Sequence, residues 1–426
     1  MMSSVAVAAT DAHRAVEAVW RIESAKLIAG LARITRDIGL AEDLAQEALV
    51  SALEQWPASG IPENPAAWLM TTAKRRAIDL FRRNAMLERK HEEIGRELEE
   101  KQMNAQPGFD AMDGEIGDDM LRLIFTACHP VLSTEARVAL TLRMIGGLTT
   151  PEIARSFLIP EATLAQRIVR AKKTLAEAHV PFETPRGAEL TTRLSSVLSV
   201  IYLIFNEGHT ATAGEAWTRP SLCEEALRLG RMVAGLLPGE PEVQALIALM
   251  EIQASRLPAR TAPDGSPVLL LDQDRSRWDQ LLVHRGLAAL ERAQALGGPR
   301  GPYLLQAEIA ACHARALRPE DTDWNRIAGL YAELAQIMPS PVVELNRAVA
   351  VGMASGPAAG LALTEALVNH PSLKNYHLLP SVRGDFLYKL GRLAEARDEF
   401  ERAANMTRNE RERRLLLDRA KKCMQG

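Results

Sequence analysis

Helical periodicity runs along almost the whole chain, and this pattern is what most restricts the fold. Apolar residues recur at three- and four-residue spacing, whereas no convincing run of alternating β-branched residues appears. Aromatic residues make up only 4% of the chain, while Ala and Leu are abundant, a composition typical of helices packed on helices. The sequence therefore predicts an all-α fold, and its 426 residues are too many for one compact core.

Charge and proline positions divide the chain into four predicted parts. The first part, 1–91, ends in a basic stretch, Trp68–Lys90, which has seven basic and two acidic side chains. Residues 92–119 reverse the sign, with ten acidic and two basic side chains, and are predicted to be an acidic linker. A second small helical part follows at 120–180, and a long helical region fills 181–426.

The C-terminal region contains an internal repeat. Ile327–Leu330 is echoed by Ala358–Leu361, each copy is followed by a proline at Pro339 or Pro371, and a third copy begins at Gly391. A period of 31 to 35 residues, with small residues at helix contacts, predicts stacked helical hairpins of the tetratricopeptide type.

Several classes of protein and site are disfavoured by the sequence. The four cysteines lie far apart without metal-ligand spacing, which disfavours a zinc site or a disulfide framework. No apolar run approaches the roughly 18–20 residues of a membrane span, and the N-terminus lacks the basic region of a signal peptide, so we predict a cytoplasmic protein. No phosphate-binding glycine loop or Ser/His/Asp arrangement stands out. We therefore expect neither enzymatic activity nor a cofactor or metal.

Two polar groups could be interpreted as metal sites. We interpret Asn206, Glu207 and His209 instead as the end of a buried helix, with Gly208 beyond its last turn. The acidic residues Asp272, Asp274 and Asp279 are interpreted as helix caps at a loop-to-helix junction, rather than as a cation site.

The most specific local motif lies in the second part. Thr150 is predicted to cap a short helix that begins at Pro151 and ends before Pro160, and a longer helix is predicted from Glu161 to about Ala178. This pattern predicts a helix-turn-helix, with an ordinary helical hairpin as the alternative. The longer helix has an apolar face of Leu164, Ile168, Ala171 and Leu175, and a polar face of Thr163, Gln166, Arg167, Arg170 and Lys173.

A second motif is the amphipathic segment Trp68–Arg83. The basic side chains Lys74, Arg75, Arg82 and Arg83 are predicted to share a face that could follow a nucleic-acid backbone. Trp68 or Phe81 could offer a stacking surface for a base. A basic face that contacts only solvent is the alternative. Three prolines ahead of this segment, Pro57, Pro62 and Pro65, are predicted to break the helices.

Taken together, three motifs resemble those of bacterial RNA polymerase sigma factors and are similar to the two-domain extracytoplasmic-function type. They are Asp43–Ala48, Trp68–Arg83 and Pro151–Leu175, in the order found in that family. The resemblance implies that 1–91 is sigma region 2 and that 120–180 is sigma region 4.

The same resemblance implies a role for particular residues, with RNA polymerase core and promoter DNA as partners. The polymerase-binding residues would be Asp43, Gln46 and Glu47. The residues that hold the −10 element would be Trp68, Lys74, Arg75, Arg76, Arg82 and Arg83, beside a loop at Pro57–Pro65. The residues that enter the −35 groove would be Thr163, Gln166, Arg167, Arg170 and Lys173.

One departure from the family pattern lies in the turn of the helix-turn-helix. Leu158 and Ala162 stand where glycine is frequent in the family. Because a residue with a Cβ in a left-handed turn costs about 1 kcal/mol, we expect this turn to be shaped differently.

From about Leu190 the chain resembles the long helical extension of a sigma subgroup with C-terminal tetratricopeptide-like repeats, on the signature Val197–His209. This implies that the region 181–426 controls sigma activity, with a small regulatory protein as a further partner. The principal hypothesis is thus an alternative sigma factor. The alternatives are a helical-repeat scaffold or DNA-binding regulator that acts without polymerase core, and, third, an enzyme built on the C-terminal helices.

Overall fold

The computed structural model of the chain describes residues 2–95 and 116–424, and it confirms the all-α prediction. These residues form 18 α-helices, several short 3-10 turns, and two strands of two residues, β1 (Ala213–Gly214) and β2 (Arg408–Asn409), which pair in parallel. They divide into two compact units, with the boundary between Val200 and Ile201. Most of the predicted acidic linker, residues 96–115, lies outside the described residues.

The first unit is built from seven helices and the first half of an eighth. They are α1 (Met2–Thr35), α2 (Ile38–Ser59), α3 (Pro65–Gly95), α4 (Ile116–Ala127), α5 (Thr134–Met144), α6 (Thr150–Phe157), α7 (Glu161–Glu177) and α8 (Ala188–His209). Asp37 begins α2 by accepting hydrogen bonds from the backbone N–H groups of Gly39 (2.7 Å) and Leu40 (3.1 Å). Gly60 ends α2 with φ +85°, a value that favours glycine.

Small side chains let the helices of the first unit approach closely. Ala41, Ala45 and Ala48 of α2 are fully buried, and so are Leu31 and Ala32 of α1, against which α2 packs.

The start of α8 belongs to this unit. Arg193 donates to the Phe125 carbonyl (2.9 Å) and Ser196 to the Cys128 carbonyl (2.7 Å), so α8 closes the end of α4. The compact unit consequently extends beyond Ala178, where the helix-turn-helix motif ends.

The expectation that Pro57 breaks a helix was wrong. Pro57 lies inside the last turn of α2, which continues to Ser59. Only two residues of α2 follow it, so the missing N–H disturbs little of the helix. The other two prolines agree with the expectation, because Pro62 lies between helices and Pro65 is the first residue of α3.

The second unit contains the rest of α8 and ten further helices. They are α9 (Pro220–Leu236), α10 (Pro241–Ser255), α11 (Gln280–Leu296), α12 (Pro302–Arg315), α13 (Trp324–Ile337), α14 (Pro341–Ser355), α15 (Pro357–Glu365), α16 (Leu378–Lys389), α17 (Leu393–Met406) and α18 (Glu410–Lys422). Proline stands first in five of them, where its missing N–H costs nothing.

The predicted helical hairpins are present in the C-terminal half of this unit. Helices α13 and α14, α15 and α16, and α17 and α18 pair in sequence, and each pair packs on the next. Gly352 and Gly360 allow the closest approach: a Cβ on Gly352 would lie 2.4 Å from the Phe386 ring, and one on Gly360 2.8 Å from the Cα of Gly352. The prediction of small residues at helix contacts is thus confirmed at Gly360, whereas its counterpart Gly329 has open space around its Cβ position.

The expectation that Gly208 lies beyond the end of its helix was also wrong, since α8 continues to His209. A Cβ on Gly208 would lie 2.6 Å from the backbone nitrogen of Cys223, so glycine here lets α9 approach α8. By length and apolar composition α8 could cross a membrane, but half of its most apolar window is buried inside the protein. Burial against the other helices explains that composition without a membrane.

Candidate nucleic-acid interface

The two helices of the predicted helix-turn-helix are α6 and α7, and the structure confirms where they end and begin. Thr149 starts α6: its hydroxyl accepts a hydrogen bond from the Glu152 N–H (3.3 Å), and the Glu152 carboxylate accepts one from the Thr149 N–H (2.8 Å). This capping box makes Thr149 the N-cap, so the prediction of Thr150 was wrong by one residue. Burial raises the pKa of Glu152, but the hydrogen bonds from Thr149 outweigh it and hold the pKa below its usual value. The carboxylate is thus an acceptor at neutral pH.

The turn between these helices contains a residue of left-handed conformation that is not glycine. Leu158 adopts φ 51° and ψ 42°, so the expectation of a differently shaped turn was wrong. Its N–H donates a long hydrogen bond to the Arg155 carbonyl (3.4 Å), and the Ile159 N–H donates one to the Ala154 carbonyl (3.1 Å). This is the pattern of a helix that ends in a residue of left-handed conformation. The Leu158 side chain is 53% exposed and therefore adds little burial to offset the strain.

Replacing Leu158 by glycine is expected to raise the free energy of unfolding of the first unit by about 0.5–1 kcal/mol, because glycine adopts this conformation without a Cβ clash. Urea unfolding followed by circular dichroism measures the change. Val169→Gly is the control, since Val169 is also exposed but lies in the right-handed interior of α7, where replacing valine by glycine should lower the stability by roughly 0.3–0.5 kcal/mol. Loss of stability in Leu158→Gly would contradict the strain argument.

The predicted polar face of α7 is presented to solvent. Leu164, Ile168, Ala171 and Leu175 are buried as predicted, which fixes the rotation of the helix. Four of the five predicted −35 residues then line one open groove of about 370 Å³ beside the start of α5. These four are Thr163, Gln166, Arg167 and Arg170. The fifth, Lys173, lies outside the groove, 3.5 Å from Glu177.

The basic helix α3 exposes three of the arginines that are predicted to contact DNA. Arg75, Arg82 and Arg83 are exposed, whereas Trp68 and Lys74 are half-buried. The Trp68 ring meets Trp56 edge-on, with 5.5 Å between ring centroids, and so braces α3 against α2. Phe81, the other predicted stacking residue, is 41% exposed.

Arg76 and Glu47, predicted to contact DNA and polymerase respectively, bind each other in the structure. The Arg76 guanidinium donates to the Glu47 carboxylate (2.5 Å) and to the Ser51 hydroxyl (2.6 Å). Neither side chain is buried, since their exposed fractions are 40% and 54%. An exposed pair of this kind contributes about 0–1 kcal/mol, so it can exchange for an external partner.

Helix α7 contacts α2 at the edge of its buried face. Glu42 is 2% exposed; it accepts from Arg143 (2.8 Å) and is ion-paired with Lys172 of α7. Lys172 also contacts the exposed Asp43 (3.0 Å). We call these four residues, Glu42, Asp43, Arg143 and Lys172, the α2–α7 clasp. It joins the predicted polymerase-binding helix to the helix predicted to read DNA.

A second ion-paired contact joins α1 to α4. Asp119 of α4 is ion-paired with Arg33 of α1 (3.4 Å) and with Arg122 (2.8 Å), and it is 5% exposed. Between α5 and α6, Gly147 allows α1 to approach, because its Cβ position lies 3.1 Å from the Ser24 hydroxyl. Within the first unit, the helices that precede the linker therefore pack directly on those that follow it.

Sequence reasoning missed Glu42 and Arg143, although a signal for Glu42 was present. Glu42 occupies the helical face of α2 that also carries Ile38 and Ala45, both buried. A carboxylate on a buried apolar face needs a charged partner. The sequence could not identify that partner, because Arg143 is 101 residues away.

Three known protein families match segments of the chain. The profile of sigma-70 region 2 matches residues 23–86, and that of sigma-70 region 4 matches residues 122–175. A family of unknown function, DUF6596, matches residues 193–294. No solved structure matches the chain.

Three relatives show how far the similarity extends. An uncharacterized protein of Rhizobium meliloti (strain 1021) is 43% identical over 393 residues, which are 91% of this chain and 92% of the relative. The ECF RNA polymerase sigma factor SigK of Mycobacterium tuberculosis is 31% identical over 150 residues, 34% of this chain and 74% of SigK. The probable ECF sigma factor SigI of the same species is 27% identical over 168 residues, 39% of this chain and 57% of SigI.

Proposed function

The chain belongs to the extracytoplasmic-function type of sigma-70 RNA polymerase sigma factors, and on this premise we propose how its parts are used and controlled. As a sigma factor it acts with RNA polymerase core and promoter DNA in the cytoplasm. The proposed steps are binding events, and none of them requires catalysis.

The polymerase-binding surface is proposed to be the face of α2 that carries Asp43, Gln46 and Glu47. Supporting this, Asp43 and Glu47 are exposed one helical turn apart, with Gln46 half-buried beside them. Two carboxylates on one face complement a basic or mixed partner surface and speed its encounter.

The −10 element is proposed to bind α3, through the predicted residues Trp68, Lys74, Arg75, Arg76, Arg82 and Arg83. The exposed arginines Arg75, Arg82 and Arg83 would neutralise phosphates of the separated strand, and Phe81 offers an exposed ring on the same helix. Arg76 would join them once its exposed bond to Glu47 exchanges. In this arrangement polymerase contact with Glu47 and DNA contact with Arg76 favour each other.

The −35 element is proposed to contact the polar face of α7, where Thr163, Gln166, Arg167 and Arg170 line the protein's open groove. A helix fits the major groove, and arginine and glutamine are the side chains that read base edges there with paired hydrogen bonds. Lys173, outside the groove, would contact a phosphate.

These surfaces cannot all be used while the α2–α7 clasp is closed. Lys172 of α7 is ion-paired with Asp43 and with the buried Glu42, so α7 is tied to the helix that polymerase would contact. We infer that the clasp is the resting state of the free protein and that polymerase core opens it. The clasp is the observation that carries this proposal, because it links the polymerase-binding helix α2 to the DNA-binding helix α7 by charges that core can replace.

The region 181–426 is proposed to control sigma activity, as the surface at which a small regulatory protein acts. In support, the second unit has its own buried core and ends in stacked helical hairpins, an architecture that presents long binding surfaces. A region without a binding partner would have no use for a long binding surface.

Run-off transcription with bacterial core polymerase tests this control. The full chain is compared with a version that ends at His209, which keeps α8 whole and preserves the bonds of Arg193 and Ser196 to α4. We expect both versions to initiate at the same start site with yields that differ at least about 5-fold, the lower end of allosteric coupling. Equal yields would remove the control proposal, and failure of both to bind core would contradict the roles given to α2.

A further inference from the structure

Three arginines are buried together in the second unit, within the connection from 256 to 279 that joins α10 to α11. Arg256, Arg260 and Arg275 are 9%, 7% and 8% exposed. Arginine is almost never buried without a paired charge. This connection contains three short 3-10 turns but no α-helix, and connections this long in compact domains are often functional.

Arg275 has a structural explanation. Its guanidinium donates to the carbonyls of His313 (2.8 Å) and Ala316 (2.5 Å) at the end of α12, and to the Thr322 hydroxyl (3.0 Å). It therefore satisfies the carbonyls that a helix C-terminus leaves unpaired.

Arg256 and Arg260 have no such explanation. Across the described residues neither forms a salt bridge, and their polar contacts are a 3.4 Å contact from Arg256 to the Gln253 amide oxygen and a 2.9 Å bond from Arg260 to the Thr210 hydroxyl. The Nε atom of each is buried without an acceptor. Each guanidinium therefore keeps one buried donor without an acceptor and has no carboxylate partner among the described residues.

Aromatic rings hold these two side chains in place. The Arg256 guanidinium lies 5.7 Å from the centre of the Trp278 ring, whose other neighbour is Arg275 at 5.3 Å. The Arg260 guanidinium lies 5.4 Å from the Trp217 ring. The indole N–H groups of Trp217 and Trp278 are themselves buried and unpartnered, so the cluster holds further donors.

No negative charge in the cluster compensates these cations. Burial, together with Arg260 and Arg275, lowers the pKa of Arg256 to about 9, and burial lowers that of Arg260 to about 10. Burial and the nearby arginines also lower the pKa of His313 to about 4, so this imidazole is neutral at pH 7. The cluster is therefore rich in donors and cations, and its own side chains supply no anion.

We propose that Arg256 and Arg260 are the anion-recognising residues of a ligand site in the second unit, and that the ligand carries a phosphate group. Guanidinium forks match phosphate oxygens, and burial strengthens the attraction. Two guanidiniums with adjacent indole donors suit a dianion with several acceptors better than a single carboxylate. The site does not depend on sigma activity and lies within the residues that match the family of unknown function.

Binding of inorganic phosphate to the full chain tests the site. In thermal unfolding at constant ionic strength, saturating phosphate is expected to raise the Tm by about 5 °C, and isothermal titration should show one site per chain. Arg256→Met and Arg260→Met should each abolish the response, and the variants should unfold no earlier than the original chain when phosphate is absent, since they remove an unpaired buried charge.

Two controls make the result decisive. Arg318→Met removes an arginine that is 71% exposed and paired with Asp321, and it should keep the full response. Acetate at equal concentration should produce no shift. The proposal is overturned if the original chain shows no saturable phosphate binding, if the Met variants respond like the original, or if acetate binds as well as phosphate.

Discussion

Replacing Lys172 by glutamate is expected to raise the affinity of the full chain for RNA polymerase core by about 30-fold. Lys172 contacts Glu42 and Asp43, which are 3% and 66% exposed at the side chain. A glutamate at this position would place a third carboxylate beside them, and like charges at such distances repel. The closed arrangement of the first unit would then lose a main attraction and gain a repulsion.

The expected size follows from the burial of the pair. Breaking a fully buried ion pair costs about 3–5 kcal/mol, and an exposed pair contributes about 0–1 kcal/mol. Glu42 is buried and Lys172 is not fully so, which places the change near 2 kcal/mol, or about 30-fold in an equilibrium constant. Since core is proposed to bind only the open form, destabilising the closed form raises the apparent affinity by that factor.

Fluorescence anisotropy with labelled core, in the absence of DNA, measures the affinity. Lys173→Glu is the matched control: it makes the same charge change on the adjacent residue, which faces solvent and contacts Glu177 instead of α2. Its affinity should stay within about 2-fold of the original, as for a surface charge away from the contact. Equal affinity of Lys172→Glu and Lys173→Glu would contradict an autoinhibitory clasp.

The helix-turn-helix shows what the sequence can predict. Its two helices were placed correctly because local signals agree: apolar residues at helical spacing, Pro151 at a start and Pro160 beyond an end. The buried face of α7 was also predicted residue by residue. The turn conformation was not, since the family pattern prefers glycine at Leu158 and only the surrounding structure shows that leucine accepts the strain.

Proline and glycine were misinterpreted where their meaning depends on position or on a distant contact. Pro57 was expected to break α2, but it lies so near the end that the helix simply finishes around it. Gly208 was expected to end α8, but it is needed because α9 approaches there. In both cases the local signal was real, and its consequence was set by tertiary structure.

The contacts that matter most for the proposed mechanism were beyond sequence reasoning. Glu42 pairs with Arg143 and Lys172, and Asp43 with Lys172, 129 residues away. The burial of Arg256 and Arg260 could not be predicted either, because an arginine in a loop is ordinarily expected to be exposed to solvent. Periodicity reports which face of one helix is apolar and says nothing about which helices meet.

Removing Arg167 and Arg170 together by alanine substitution is expected to weaken binding of the holoenzyme to duplex promoter DNA by about 100-fold or more. Both line the groove beside α7, and each base-reading arginine contributes about 1–3 kcal/mol. Neither belongs to the buried face of α7 that Leu164, Ile168, Ala171 and Leu175 form, so the fold of the helix-turn-helix should be retained. Core affinity measured without DNA should be unchanged.

Salt dependence then separates the two ways in which these arginines could act. If they read bases, the affinity falls and the slope of log affinity against log salt stays the same; if they contact phosphates, the slope becomes shallower by about 1 for each arginine. The DNA is a fragment on which the original holoenzyme initiates, and Arg186→Ala, which removes one exposed arginine outside the helix-turn-helix, is the control for loss of a surface charge. Unchanged affinity in the double variant would remove α7 as the recognition helix. A 100-fold loss with an unchanged slope would assign Arg167 and Arg170 to the base edges, because phosphate contacts cannot be lost without releasing fewer counterions.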